Sequence, residues 1–322
     1  MKENIVLVLL ATLCSTSVFA KDKVTKSFCF NCVSTSISTG ILTNAESVET
    51  VLSNGVRLSQ LDWDIDNSPV LNTGIRWEFF PVVSLNLNGW TTISKNGALM
   101  NDYDWTNKNN PNELTNWSHH PRTKLNYANE FDVNFEGLLI NKEDFSLGVL
   151  VGYQENRYSF TAYGGKYRYP ETDDNGNFIP GSSQTIIGSF EDGKKVIGYQ
   201  QKYKVPYIGL SGKYNYEKFE FGGVVKYSPW VKSYDYDDHA LRNTDFYSRA
   251  DQGDYYAVTI DAGYYIVPDT QLFAQYSWNE FKMNVGDTLI IDNEDNTQGV
   301  NSGGAGIANK YSIVSIGIKY RF

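Results

Sequence analysis

From Val314 to the end of the chain the side chains alternate. Val314, Ile316, Ile318, Tyr320 and Phe322 fall on one face, and Ser315, Gly317, Lys319 and Arg321 on the other. Successive side chains of a strand point to opposite faces, so this period of two predicts a strand with one apolar side. The pattern recurs where Phe219, Phe221, Gly223, Val225 and Tyr227 oppose Glu220, Gly222, Val224, Lys226 and Ser228. It recurs again where Leu272, Ala274, Tyr276 and Trp278 oppose Phe273, Gln275, Ser277 and Asn279. Tight joins are predicted near Phe80-Pro81, Asn141-Lys142-Glu143, Glu217-Lys218 and Pro268-Asp269-Thr270. Long polar stretches separate them, at about 94–122, 170–193, 238–253 and 286–309. Outer-membrane barrels have an even strand number, short periplasmic turns and long outer loops. The segments number roughly ten, so the expected fold is all-β: a ten-stranded antiparallel transmembrane barrel with long extracellular loops. A soluble sandwich with long loops is the alternative.

The N-terminus favours the membrane. Met1-Lys2-Glu3-Asn4 precedes an apolar run from Ile5 to Leu13, and the segment closes at Ala20. A basic start, a short apolar core and a small residue are the marks of a secretory signal, so 1–20 is expected to be removed and 21–322 to form one domain. Cys14 falls within that segment. Cys29 and Cys32 remain, and in an exported protein they could close a small disulfide. Composition adds two constraints. The 322 residues have a mean hydropathy of -0.40, too polar for a bundle of helical spans. Lys and Arg number 28 against 37 Asp and Glu, which argues against nucleic acid and for a cationic partner. Tyr is abundant (23) beside 17 Phe and 7 Trp, as suits pleated surfaces.

If the tight turns face the periplasm, residues at the starts of the long stretches can meet at the outer mouth. Strands longer than a bilayer needs would project there and wall a cleft. Two acidic motifs lie in that zone. Asp235-Tyr236-Asp237-Asp238-His239 places Asp235, Asp237 and His239 on one face of an extended chain. A carboxylate beside a histidine fixes its tautomer and raises its basicity, as a general base requires. Asp102 and Asp104, in Asn101-Asp102-Tyr103-Asp104-Trp105, form a second pair, and two close carboxylates tend to share a proton. Other chemistries use the same residue types: a weak calcium site, a solvated turn, or a serine hydrolase built from Ser118, His239 and Asp237. No Gly-x-Ser-x-Gly elbow supports the last.

Several segments together resemble the omptins, outer-membrane proteases of Gram-negative bacteria. They are Ser59-Gln60-Leu61-Asp62-Trp63, Gly89-Trp90-Thr91-Thr92, Asp102-Tyr103-Asp104-Trp105, 125–132, 152–160 and Pro206-Tyr207-Ile208-Gly209-Leu210. The resemblance implies a ten-stranded barrel with its active site facing the cell exterior. It also implies an Asp237–His239 dyad that activates water, with Asp102 and Asp104 opposite and Ser118 and His120 in support. It further implies cleavage after Arg or Lys, with Glu49 and Asp235 forming an acidic pocket; Glu46 could replace Glu49 by a small realignment. Asn116 stands where dibasic-cleaving relatives carry an acid. Lipopolysaccharide is implied as an activating lipid, held by Tyr153, Glu155, Arg157 and Lys202, with Asp251 in place of a further basic residue beside Arg249. No metal is expected. Cationic peptides and proteins are the implied substrates. The rival readings are a barrel that has lost proteolysis and acts as adhesin or pore, and a hydrolase of phospholipids.

Overall fold

The computed structural model describes residues 31–322. The segment 1–20 expected to be an export signal, Cys14 and Cys29 lie outside the described residues, and Cys32 is disulfide-bonded. Among the described residues twelve strands run in chain order. The first six are β1 (Cys32–Ser53), β2 (Val56–Ile65), β3 (Ser68–Phe80), β4 (Val83–Thr92), β5 (Ala98–Asp104) and β6 (Asn116–Asn141). The remainder are β7 (Phe145–Tyr169), β8 (Ile186–Tyr216), β9 (Phe219–His239), β10 (Thr244–Val267), β11 (Thr270–Asp292) and β12 (Thr297–Arg321). All pairings are antiparallel, and β12 returns to β1 to close the sheet.

Ten strands circle the barrel at either level, although twelve exist. In the lower half β1 pairs with β3 through Cys32–Leu42, and β4 pairs with β6 through its residues 129–137. In the upper half β1 pairs instead with β2 from Ala45 onward, and β5 takes the place of β4 against β6. The exchange falls at a bulge between Thr43 and Glu46, where Asn44 adopts a left-handed conformation (φ 49°). A bulge adds twist and bends a strand, and Asn tolerates that region better than most residues.

The outer wall carries the apolar face foreseen from the alternation. Ile37, Ile41, Leu71, Ile75, Phe131, Val151, Leu210, Phe221, Ile260, Ile316 and Ile318 are all exposed on it, which a lipid-facing band requires. The tight joins occur where expected. The polar stretches do not all become loops. Outer connections shrink to 240–243 and 293–296 at two of them, and β6 and β8 begin well inside the other two. The reason is environmental: above the bilayer both faces of a strand can be wet, so the period of two fades while the backbone stays extended. β8 has 31 residues against the ~9–11 that span a bilayer, so much of it stands above the membrane.

Inside, two regions differ in chemistry. The lower lumen is charged. Arg76 pairs with Glu136, Lys226 with Asp132 at 2.5 Å, and Lys319 with Glu220 at 3.2 Å. Above it lies a layer of fully buried rings. Trp63 stacks on Tyr199 (centroids 5.1 Å apart) and meets Phe160 at 5.4 Å, while Tyr203 stacks on Phe281 at 4.1 Å. Each such ring buries about 150–250 Å², so this layer contributes a large part of the buried core. It forms the floor of the outer cleft.

Candidate active site

The register of the upper sheet brings five strands to one level. Glu49 pairs with Leu61, Leu61 with Asp102, Asp102 with Ser118, and Ser118 with Tyr167. Directly paired residues on neighbouring strands share a face, so Glu49, Asp102 and Ser118 all turn inward. One step further out, Asp104 pairs with Ser59 on one side and Asn116 on the other. On the facing wall β9 lies between β8 and β10. Asp235 sits between Gln201 and Ser248, Asp237 between Tyr199 and Phe246, and His239 between Ile197 and Thr244. The alternation read from Asp235, Asp237 and His239 is therefore the inward face of a strand.

Asp237 Oδ2 lies 2.6 Å from His239 Nε2, and His239 packs against Phe246 at 5.0 Å between centroids. Asp237 is 1 % exposed, Glu49 5 % and Asp235 6 %. Glu49 Oε2 and Asp237 Oδ1 are buried without a hydrogen-bond partner. Neither Asp235 oxygen has a well-formed hydrogen bond either, although Ser248 lies beside it. Unpaired buried carboxylate oxygens are costly.

Burial raises the pKa of each acid that shows a shift. It holds Glu49 well above the carboxylate range, and the charges of Asp237, Asp235 and Asp102 add to this. Burial pushes Asp235 up to about 7, with Asp237 contributing. Asp102 is raised by burial and then by Asp104, and Arg242 opposes the rise. Asp104 is raised by burial too, offset by Ser59, Arg242 and His239. Asp102 and Asp104 on β5 and Asp237 and His239 on β9 thus turn into the same upper part of the closed barrel, where the Asp237 charge adds to the rise at Asp102 and His239 opposes that at Asp104.

Ser118 donates to His120 Nε2 at 2.9 Å, and His120 Nδ1 donates to the Gly164 carbonyl at 2.5 Å. Burial lowers the His120 pKa, which keeps this ring neutral. Gly165 makes the approach possible: at φ 115° a Cβ there would stand 2.7 Å from His120 Nδ1. Ser118 thus bonds to His120 and not to His239, so the Ser118–His239–Asp237 combination is not assembled by hydrogen bonds. Glu46 pairs with Lys310 and is partly exposed, whereas Glu49 lies in the cleft. Among the described residues no group of three or more His, Cys, Asp or Glu is disposed to hold a metal ion.

The residues expected to hold lipid lie outside the cleft, where β7 meets β8. Arg157 pairs with Lys202 across the strands. Arg157 Nε donates to Glu155 at 2.6 Å, Lys202 Nζ lies 3.1 Å from the same carboxylate, and Tyr153 donates to it at 3.5 Å. Asp251 pairs with Arg249 at 3.2 Å, and Lys204 and Arg249 both approach the Tyr234 ring. Two cleft residues were missed in the sequence: Ser59, which donates to Asp102 at 3.4 Å, and Arg242, which donates to His239 Nδ1. Arg242 lies in the turn three residues beyond His239, and the sequence carries no signal for which way its exposed side chain folds.

The profile of the Omptin family matches residues 29–322. The outer membrane protease OmpP of Escherichia coli (strain K12) is 42 % identical over 292 residues, covering 90 % of each chain. Protease 7 of the same strain is 39 % identical over 326 residues, the full length of both. The plasminogen activator of Yersinia pestis is 39 % identical over 269 residues, 83 % of this chain and 82 % of its own. The crystal structure of outer membrane protease OmpT from Escherichia coli superposes with a TM-score of 0.85 at 40 % identity, covering 92 % of this chain and 99 % of that one. The chain belongs to the omptin family, β-barrel proteases of the Gram-negative outer membrane.

Proposed function

We propose that this protease is an endopeptidase that opens to the cell exterior and cleaves after Arg or Lys with a water nucleophile. The observation that carries the reading is the Asp237–His239 hydrogen bond facing the Asp102–Asp104 pair across a buried acidic cleft. With Asp237 accepting from Nε2–H, the Nδ1 lone pair is the base that takes a proton from water. Asp237 then stabilises the imidazolium. Asp102 and Asp104, with raised pKa values, retain a proton between them, and that proton hydrogen-bonds the oxyanion as it develops. No acyl-enzyme is involved.

Glu49 and Asp235 receive the basic side chain before the cut. Their unpaired oxygens favour a cation and penalise a neutral side chain, which would leave them buried and unsatisfied. Asn116, beside Asp104, offers no charge to a second basic residue after the cut. Lipopolysaccharide is the expected activator, its phosphates meeting Arg157 and Lys202 on the outer wall. The aromatic floor beneath the cleft counts against a pore.

The test is a cleavage-site profile from a random peptide library, with the protein refolded in detergent and lipopolysaccharide. The expected profile has Arg or Lys before the cut and no basic preference after it, and Asp235→Asn erodes the first selection. A profile without basic selection before the cut contradicts the assignment.

A further inference from the structure

The proposed dyad has one atom that must be free to work. Asp237 occupies the Nε2 side of His239 at 2.6 Å, so the ring acts as a base through Nδ1. Arg242 donates from Nη2 to that same Nδ1, and lies 3.5 Å from Nε2. A guanidinium has no lone pair and stays protonated, so it only donates. The contact therefore engages the lone pair that would take the proton of water.

The backbone is shaped to make this contact. Arg242 lies in the turn 240–243, its N–H bonded to the His239 carbonyl at 3.0 Å and its own carbonyl accepting from Thr244 Oγ1 at 3.0 Å. Asn243 closes the turn with a left-handed φ of 51°. The Arg242 charge also reaches Asp102 and Asp104 on the opposite wall. Yet Arg242 is exposed, so its side chain is free to swing into solvent.

We propose that Arg242 is a tethered gate: its guanidinium holds the attacking position at His239 in the resting enzyme, and a cationic substrate displaces it. The inference rests on the dyad reading above. A substrate cation settling among the cleft acids supplies the positive charge that Arg242 provides at rest, and repels Arg242 outward. A small uncharged substrate does neither, so the gate links water activation to occupancy by the right class of ligand.

The experiment compares wild type, Arg242→Ala and Arg242→Lys in the lipopolysaccharide-bound enzyme, with heat-modifiable gel migration as the folding control. Arg242→Ala is expected to raise kcat/KM about tenfold on a short substrate with a single basic residue, roughly one charge-assisted hydrogen bond. The gain should be smaller on long polycationic peptides, which already expel the gate. Added methylguanidinium should inhibit Arg242→Ala more strongly than wild type, an effect that loss of a structural contact does not produce. Arg242→Lys should fall between the two. A drop in kcat/KM in Arg242→Ala, with activity still abolished by His239→Ala, overturns the gate alone. Activity that persists in His239→Ala overturns the dyad reading and the gate with it.

Discussion

At the scale of single residues, the cleft concentrates acids that burial keeps partly protonated, and this has a measurable consequence. Asp235 has its pKa raised to about 7. A raised acid pKa means that the carboxylate becomes anionic only as pH rises through that value, and the anion is the form that binds a basic side chain. KM for an Arg substrate is therefore expected to fall as pH rises from about 5.5 to about 8, approaching tenfold per unit below the pKa. Asp235→Asn should flatten this dependence. A flat KM in wild type, or an unchanged slope in the variant, would contradict the role given to Asp235. Much at this scale was legible beforehand: Asp235, Asp237 and His239 alternate along a strand, and alternation alone places them on one face. The choice of Glu49 over Glu46 was not, because a bulge between Thr43 and Glu46 resets which side chains face inward. Arg242 was not legible as a cleft residue, since nothing local to a turn tells which way an exposed side chain folds back.

At the scale of elements, the strands were easier to foresee within the membrane than above it. Lipid on one side and a polar lumen on the other impose a strict period of two. Above the bilayer that constraint lapses, and strands such as the start of β10 read as polar loop. The exchange of β3–β4 for β2–β5 is likewise invisible in the pattern, since pairing partners are chosen by register and not by composition. The β7–β8 pair gives a prediction of its own. Arg157 and Lys202 face outward around Glu155 near the upper edge of the apolar band. Replacing both by Ala is expected to raise the lipopolysaccharide concentration needed for half-maximal activation by about tenfold or more, as lost charge-assisted hydrogen bonds to phosphate would. An unchanged lipid titration would assign these side chains to a cross-strand ion pair and nothing further.

At the scale of the whole molecule, the architecture divides the barrel's interior between two tasks. In the lower lumen Arg76, Lys226 and Lys319 each meet a carboxylate. The upper cleft leaves several acids unpaired above an aromatic floor. A closed sheet holds these acids in place because every strand is hydrogen-bonded on both sides, so walls far apart in sequence keep a fixed separation. The central claim is that Asp237 and His239, facing Asp102 and Asp104, activate water for peptide hydrolysis. The most direct measurement is turnover of an Arg-containing fluorogenic peptide by refolded, lipopolysaccharide-bound Asp237→Ala, His239→Ala and Asp102→Ala proteins, each verified as a folded barrel. The account expects rates at least about a hundredfold below wild type, the lower range for loss of a general base. Wild-type turnover in folded His239→Ala or Asp237→Ala would contradict it.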